Sequence, residues 1–130
     1  MIKTFSISTK KRNEMIDITM QIRNTVNESE VSDGTAFVYV PHTTAAVTIN
    51  ENADPDVPSD MLDFFKKKIP VDCNFSHAEG NSDAHIKSSL VGCGEIIIVK
   101  DSAPMLGRWQ GVFFCEFDGP RNRSFFVRVT

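Results

Sequence analysis

Residues 109–117 read WQGVFFCEF and residues 124–129 read SFFVRV, with Asp118 and Gly119 between the two runs. Both runs are rich in aromatic and β-branched side chains, which favour strands. Asp-Gly is a frequent turn sequence between strands that run in opposite directions. This part of the chain therefore predicts two strands joined by a turn, and a sheet that is largely antiparallel.

Further β-rich runs precede these two strands, at residues 4–8, 15–18, 35–40, 45–49 and 95–99. Helical signals lie between them. One helix is predicted to begin near Thr19, where apolar residues follow at helical spacing. A second should span residues 59–68, with Ser59 as its cap and Pro70 as its stop.

A third helix is predicted from about residue 83 to residue 90. Asn81 or Ser82 would cap it, and Gly92 lies just beyond its end. No repeat or linker divides the chain. We therefore expect one α+β domain, residues 1–130, with a largely antiparallel β-sheet and about three helices.

The composition restricts the classes of function. The chain has 130 residues, 41% of them hydrophobic, which suffices for one core, whereas an eight-stranded α/β barrel takes roughly 200 residues or more. The 14 Lys and Arg against 17 Asp and Glu give a net charge of −3, so the chain offers no broad basic field to a nucleic-acid backbone. Nucleic acid is not expected as a partner.

Cellular location also has sequence signals. No apolar run approaches the roughly 18 residues of a membrane span, and the first residues, MIKTFSISTKKRNE, lack the apolar core of a secretory signal. We expect a cytoplasmic protein with no membrane partner. The widely spaced Cys73, Cys93 and Cys115 fit reduced structural thiols. A nucleophilic Cys93 is the less favoured alternative, because nothing nearby in the sequence would activate the thiol.

All three histidines lie among small, polar or glycine residues: His42 in VPHTTAA, His77 in FSHAEGN and His85 in SDAHIKS. Histidine is a common ligand for zinc and related metals, and a catalytic zinc site uses three protein ligands and one open position. The three histidines therefore predict a divalent metal site. For any one of them, the alternative is a histidine that only packs or forms a hydrogen bond.

The segment HAEGNSDAHIK, residues 77–87, is the expected working site. Eight residues of one helix rise about 12 Å, so His77 and His85 cannot share a metal from a single helix. A Gly-Asn pair between them supplies a turn, so that His77 can approach from a loop while His85 projects from the first turn of the next helix. His42 would come from the end of a distant strand.

The start of that helix is also a candidate phosphate site. Its free N–H groups and positive dipole end attract an anion, and Lys87 is close enough in sequence to assist. Glu79 and Asp83 add negative charge there, which favours a cation between protein and phosphate. Helix capping explains the same two acids without a ligand.

Two other groups of charged residues are candidates. Glu51, Asp54 and Asp56 follow a β-rich run, with Glu51 the favoured functional residue, although a solvated connector explains all three. Arg121 and Arg123 could clamp a phosphate, and a charged turn that keeps the protein soluble explains them equally well.

Four stretches, PHTTAAVTINEN, SHAEGNSDAHIKSSLVG, LGRWQ and FDGPR, together resemble the YjbQ family in order and spacing. The similarity extends over almost the whole chain. It implies a homotrimer of α+β subunits that acts as an auxiliary, or secondary, thiamine-phosphate synthase. That reaction joins hydroxymethylpyrimidine pyrophosphate to a thiazole phosphate and releases pyrophosphate.

The resemblance also implies roles for particular residues. The metal ligands would be His42, His77 and His85, and His85 would be essential to activity. The remaining motif positions are Lys87 and Glu51 as catalytic residues, with Asn81, Gln110 and Arg121 as substrate- or phosphate-binding residues. One position departs from the family pattern, because Arg108 replaces the small hydroxyl residue that usually precedes the tryptophan.

We therefore expect a metal-assisted enzyme whose partner is a small phosphorylated metabolite, with zinc, magnesium or manganese as the cofactor. The metal, Lys87, Arg121 and helix N–H groups would stabilise the departing pyrophosphate, or His85 would act as an acid or base. The alternative is a non-catalytic trimeric protein that binds a metal or a metabolite. An open coordination position would favour catalysis, and a closed shell of four protein ligands a structural role.

Overall fold

A computed structural model describes the whole chain, Met1–Thr130, as two antiparallel sheets and three helices. The helices are α1 (Thr19–Ser29), α2 (Asp56–Lys68) and α3 (Ser82–Val91). The strands are β1 (Ile2–Ser8), β2 (Glu14–Asp17), β3 (Gly34–Tyr39), β4 (Ala45–Glu51), β5 (Gly94–Lys100), β6 (Ala103–Pro104), β7 (Gln110–Glu116) and β8 (Asn122–Val129). The predicted single α+β domain with antiparallel pairing and three helices is confirmed.

The main hydrophobic core joins the inner faces of the two sheets. The larger sheet has the order β1-β8-β3-β5-β6 and the smaller the order β2-β7-β4. Alternate residues of the larger sheet, such as Val38 and Val127, are fully buried, and they cluster with Phe114 of the smaller sheet. Ile22 and Val26 of α1 complete this core. Truncating a fully buried aromatic such as Phe114 to alanine would cost about 3–5 kcal/mol.

Helices α2 and α3 cover the other face of the smaller sheet. Phe113 and Cys115 of β7 cluster there with Phe65 of α2 and Ala84 of α3. The small side chain of Ala46 on β4 belongs to the same cluster. Helix α3 is therefore fixed alongside β4, and its first turn projects the candidate site residues.

The outer face of the larger sheet is not covered. Its apolar residues are Ile2, Phe37, Tyr39, Ile96, Ile98 and Phe126, with Ile96 and Ile98 more than half exposed. Three aromatic rings stack across it, with centroid separations of 6.1 Å for Phe37–Tyr39 and 6.3 Å for Tyr39–Phe126. We call this surface the outer face.

The predicted turn at Asp118 and Gly119 does not join paired strands. Strand β7 pairs with β2 and β4, whereas β8 pairs with β1 and β3 in the other sheet. The residues around the turn bond instead to the β1–β2 connection, where the Gly119 N–H donates to the Arg12 carbonyl and the Thr9 N–H to the Arg121 carbonyl. The Asp-Gly signal therefore marks a crossing between sheets.

The start of α2 also differs from the prediction. The helix begins at Asp56, and Ser59 lies inside its first turn instead of capping it. The cap position is Pro55, which supplies no side-chain hydrogen bond, and the Asp54 carboxylate just before it accepts the Asp56 N–H at 2.9 Å. At α3, Asn81 does occupy the cap position, but its side chain is used elsewhere. None of the helices has the length and hydropathy of a membrane span.

Candidate functional site

His77 and His85 lie together at the start of α3. Their ring centroids are 5.6 Å apart and the rings are nearly perpendicular, at 87°. His77 comes from the loop before the helix and His85 from its first turn, with Gly80 in between at φ 74°. The left-handed backbone at Gly80 is readily available to glycine and lets the chain turn back. The Glu79 carboxylate lies 3.8 Å from His77 Nε2.

Two cavities flank His85. The first, which we call the serine cavity, has a volume of about 430 Å³ and is lined by His42, Thr43, His85, Ser88, Ser89 and Cys93, among others. The second, the loop cavity, has a volume of about 470 Å³ and is lined by Phe75, Ser76, His77, Ser82, His85 and Ile86. His85 is therefore part of the lining of both cavities.

His42 has a structural partner at the end of β8. Strands β3 and β8 pair as far as Tyr39 opposite Phe126, which places Pro41 opposite Ser124 at the next hydrogen-bonding position. Proline has no N–H to donate. The ring fills this gap, because His42 Nε2 lies 3.0 Å from the Ser124 nitrogen and 3.1 Å from its carbonyl oxygen. Only Nδ1 of His42 is left for a ligand.

The surroundings of His42 favour its neutral form. Partial burial lowers the pKa of the His42 imidazole, and the nearby positive charge of Arg123 lowers it further. A neutral imidazole can accept the Ser124 N–H at Nε2, in which case Nδ1 carries the proton and is a donor. If Nε2 carries the proton instead, it donates to the Ser124 carbonyl and Nδ1 is an acceptor.

The donor set for a metal is incomplete within one chain. His77 and His85 are adjacent, but no group of three or more His, Cys, Asp or Glu side chains is close enough to hold a metal ion. His42 shares the serine cavity with His85, yet its Nε2 is directed at Ser124. The predicted three-histidine metal site therefore does not fit the geometry of a single copy, and only the His77–His85 pair is available.

Lys87 points into the protein instead of into either cavity. Its side chain is 1% exposed, and its Nζ lies 2.8 Å from Asp83 Oδ2, one helical turn earlier. The other oxygen of Asp83 accepts a hydrogen bond from Arg12 at 3.0 Å. Lys87 therefore anchors the helix through a buried ion pair. Asp83, in the first turn of α3, has two cationic partners, Lys87 and Arg12.

Asn81 and Arg121 are both engaged by Asp118. The Asn81 amide donates to Asp118 Oδ2 at 2.9 Å, and the Arg121 guanidinium donates to the same oxygen at 3.0 Å. Arg12 approaches the other oxygen at 3.4 Å. Burial alone would raise the pKa of the Asp118 carboxyl, but these donors and positive charges outweigh it and hold the pKa low. The hydrogen bond from Asn81 to Asp118 ties the start of α3 to the β7–β8 connection.

A second buried pair supports the β8 end at which His42 is held. Arg123 donates to Glu116 at 2.5 Å and to the Thr44 hydroxyl at 2.8 Å. Thr9 donates to the same carboxylate at 2.7 Å. Desolvation would raise the pKa of Glu116, but the bonds from Arg123 and Thr9 lower it overall. Arg123 is thus a structural residue and not a free phosphate clamp.

Glu51 and Gln110 lie at a different end of the molecule. They are paired opposite each other on β4 and β7. Glu51 lies six residue steps along β4 from Ala45, which lines the serine cavity, and at about 3.3 Å per step this is roughly 20 Å. The structure therefore does not bring these two predicted residues to His85.

A third cavity of about 400 Å³ lies at that end, with Gln110, Arg108 and Arg23 in its wall. The Gln110 side-chain oxygen accepts the Gly107 N–H at 2.7 Å. Arg108, the departure from the family pattern, stacks its guanidinium 4.9 Å from the centre of the Trp109 ring. Its charge therefore lies beside the exposed Trp109.

Sequence reasoning missed Arg12, Glu116, Asp118 and Ser88. One signal was available, since Asp83 and Lys87 are four residues apart on a helix, the spacing of an ion pair. The contacts of Arg12 with Asp83 and of Thr9 with Glu116 join residues 71 and 107 positions apart. No local pattern predicts pairs so distant in sequence.

The fold and the site together define a small α+β protein of two antiparallel sheets, with a histidine pair at a helix start between two cavities. The chain belongs to the YjbQ-like UPF0047 family, whose family model matches residues 3–130. A UPF0047 protein of Methanocaldococcus jannaschii is 58% identical over 129 residues, which cover 99% of this chain and 94% of that protein. YugU of Bacillus subtilis is 49% identical over 130 residues, covering 99% and 98%.

Solved structures agree with this assignment. An uncharacterized conserved protein of the family from Clostridium acetobutylicum superposes with a TM-score of 0.97 at 49% identity, covering 98% of this chain and 99% of that one. A YbjQ-like protein of unknown function from Sulfolobus solfataricus gives 0.96 at 28% identity, covering 99% and 95%. The family and fold predicted from the four motifs are confirmed, and the reaction stays a prediction.

Proposed function

We propose that this protein is a transferase acting on phosphorylated small molecules, with auxiliary thiamine-phosphate synthesis as its reaction, and that His85 is at its centre. The observation that carries the proposal is the position of His85, 5.6 Å from His77 between ring centroids and in the wall of both cavities. A transfer between two substrates needs a site for each on either side of the reacting atoms. The two cavities offer such an arrangement.

The phosphorylated group would bind at the start of α3. The first N–H groups of a helix and its dipole attract anions, and Ser82, the first residue of α3, lines the loop cavity. The positive charges predicted to assist are already used, since Lys87 is paired with Asp83 and Arg121 with Asp118. Helix N–H groups and the two imidazoles are therefore the donors available to a phosphate.

His85 would move the proton or orient the reacting group. Histidine is the side chain most often used as a catalytic acid or base, and His85 lines both cavities. His77 is the neighbouring donor on the loop side. Well-placed acid–base groups contribute roughly 100-fold to 10,000-fold to a rate.

A divalent metal held by His77 and His85 is the alternative, within this proposal, to His85 as an acid or base, because an imidazole that binds a metal must give its lone pair to the metal. Two imidazoles favour zinc over magnesium, which prefers oxygen ligands. A bound metal would supply an electrophile for phosphate oxygens. Metal analysis of protein purified with zinc, manganese and magnesium present, compared with His77→Ala, tests this part separately. Equal metal content in the wild type and in His77→Ala would refute a metal site at His77 and His85.

A turnover assay tests the enzyme. Thiamine phosphate and pyrophosphate are measured for the wild type, His85→Ala and the surface control Lys67→Met, with hydroxymethylpyrimidine pyrophosphate and thiazole phosphate as substrates. We expect turnover in the wild type and in the control, and a loss of about 100-fold or more in His85→Ala. Full turnover in His85→Ala would refute the role of His85, and none in the wild type would refute the reaction.

The second candidate function is the non-catalytic binding of a metabolite by a homotrimer. The exposed outer face favours a trimer whether or not the protein is an enzyme. Contiguous exposed apolar surface of this kind marks interaction sites, and an aromatic stack with Ile96 and Ile98 beside it suits an apolar partner such as a second copy. Mass determination in solution should give three copies for the wild type and for Phe64→Glu, an exposed position on α2. Ile98→Glu should reduce the mass, and a monomeric wild type would refute the trimer.

A further inference from the structure

The segment that brings His77 to His85 has little attachment to the rest of the protein. Residues 70–80, PVDCNFSHAEG, join α2 to α3 without forming a helix or a strand. No residue of this segment donates or accepts a hydrogen bond, from backbone or side chain. From residue 71 to residue 80 every side chain is exposed except that of Phe75, which is partly buried. We call residues 70–80 the connecting segment.

The connecting segment meets α3 through two aromatic rings. The His77 imidazole lies against that of His85 with ring centroids 5.6 Å apart and planes at 87°, the edge-to-face arrangement that aromatic pairs favour. The Glu79 carboxylate, 3.8 Å from His77 Nε2, belongs to the same segment and therefore does not attach it to α3. The contact between the two histidines is thus the specific link between the segment and the helix.

The loop cavity is the space between the connecting segment and α3. Three residues of the segment and three of the helix form its wall: Phe75, Ser76, His77, Ser82, His85 and Ile86. Moving the segment away from the helix would remove half of that wall. The cavity would then be open to solvent along the start of α3.

Gly80 supplies a hinge at the end of the segment. Its φ is 74°, a conformation that glycine adopts readily and other residues do not. No atom lies within 4 Å of the place that a Cβ would take, so packing does not restrain this residue. Segments with few buried contacts and no protected hydrogen bonds open locally at a small cost in free energy, and the loops that cover ligand sites are of this kind.

We propose that the connecting segment is a gate on the loop cavity, closed by the contact of His77 with His85 and opened by rotation about Gly80. Opening admits a phosphorylated ligand to the start of α3, and closing places Phe75 and His77 over it and keeps water out. The gate controls access to the site of the proposed function and rests on that function only for its ligand.

Limited digestion with chymotrypsin measures the opening, because a protease cleaves a bond only when the residues around it are free to extend. Phe75 lies in the connecting segment, whereas Phe64, which is 59% exposed, lies within α2 and is the internal control. We expect cleavage after Phe75, seen by mass as residues 1–75 and 76–130, while the bond after Phe64 stays intact. Cleavage after Phe64 before Phe75 would overturn the proposal.

Variants of His85 test the contact that closes the gate, because His85 lies outside the cleaved sequence. His85→Ala should raise the rate of cleavage after Phe75 about fivefold, and His85→Phe, which keeps an aromatic ring, should stay within about twofold of the wild type. Leu90→Ala, at a position of α3 that is 67% exposed, is the matched control and should leave the rate unchanged. Circular dichroism checks that each variant is folded. Equal rates in the wild type and His85→Ala would refute the gate.

Gly80→Ala tests the hinge without touching either histidine. Alanine has room at this position but disfavours a positive φ, so the closed conformation is destabilised and cleavage after Phe75 should again rise about fivefold. An unchanged rate would refute Gly80 as the hinge.

A last digestion separates the gate from the proposed function. Hydroxymethylpyrimidine pyrophosphate at about ten times its Kd should slow cleavage of the wild type about tenfold, because it binds only the closed form. If the variants behave as expected but the ligand gives no protection, the gate is supported and the ligand of the proposed function is refuted. Protection without any effect of His85→Ala and Gly80→Ala would refute the gate and support the ligand.

Discussion

Replacing Lys87 by methionine removes the cation that Asp83 pairs with inside the protein. The two side chains are 1% and 0% exposed, and their charged atoms are 2.8 Å apart. Removing one partner of a buried ion pair costs about 3–5 kcal/mol, because the other charge stays buried without compensation. Asp83 keeps Arg12 at 3.0 Å, so we place the loss in free energy of unfolding near the lower limit, at about 3 kcal/mol.

Denaturant unfolding of wild type and Lys87→Met at one protein concentration measures this loss. In thermal unfolding, the same loss of about 3 kcal/mol corresponds to a decrease in Tm of roughly 10 °C for a chain of this size. The control Lys67→Met changes an exposed lysine of α2 and should stay within about 0.5 kcal/mol of the wild type. Replacing Asp83 by leucine as well should recover most of the stability, because an apolar pair of similar volume is often neutral.

A loss below about 1 kcal/mol in Lys87→Met would refute this reasoning, since it would mean that the ammonium is solvated. Lys87 would then be free to contact a phosphate, as the sequence predicts. A large loss that the double substitution reverses would confirm Lys87 as a structural residue that holds α3 in place.

Three further predictions follow from the hydrogen bonds and the burial. His42→Ala leaves the Ser124 backbone groups without a partner and should cost about 1–3 kcal/mol in unfolding free energy, with His42→Asn recovering part of it. The pKa values of Glu116 and Asp118 are lower in the folded protein than in the unfolded chain, so the stability they contribute is present above about pH 5 and lost as the pH falls through the folded values. The Glu116→Gln variant should therefore lose less unfolding free energy than the wild type between neutral pH and about pH 3. An unchanged dependence of unfolding free energy on pH would contradict this prediction. Cys115 should react with thiol reagents only on global unfolding, because burial raises its pKa to about 12, and mass-resolved labelling in rising denaturant checks this.

The fold followed from local patterns where the patterns were long. The β-rich runs of β3, β5 and β8 and the helical signals of α1 and α3 predicted the elements within a few residues. The pairing of strands was not accessible in the same way. Asp118 and Gly119 satisfied the local rule for a hairpin, but the bonds that decide the partner come from Thr9 and Arg12, more than 100 residues earlier.

The site was predicted in part for the same reason. The turn between His77 and His85 is local, and the sequence indicated it. The direction of Lys87 also follows from helix geometry, because residues two apart on a helix are about 200° apart and cannot share a face with His85. Ser88 and Ser89, three and four residues on, do share that face. The placement of Glu51 roughly 20 Å away depends on strand length and register, which the motif order does not reveal.

The most direct test of the proposed function is an NMR titration that shows whether a phosphorylated ligand binds at His77 and His85. The chain has three histidines and one tryptophan, so imidazole and indole signals are few and can be assigned by substitution. During titration with hydroxymethylpyrimidine pyrophosphate, the ring signals of His77 and His85 should shift to saturation, while the indole N–H of Trp109, beside the distant Arg108 cavity, should not move. Saturating shifts at Trp109 with unchanged His77 and His85 would contradict the account and place the ligand at the Gln110 end.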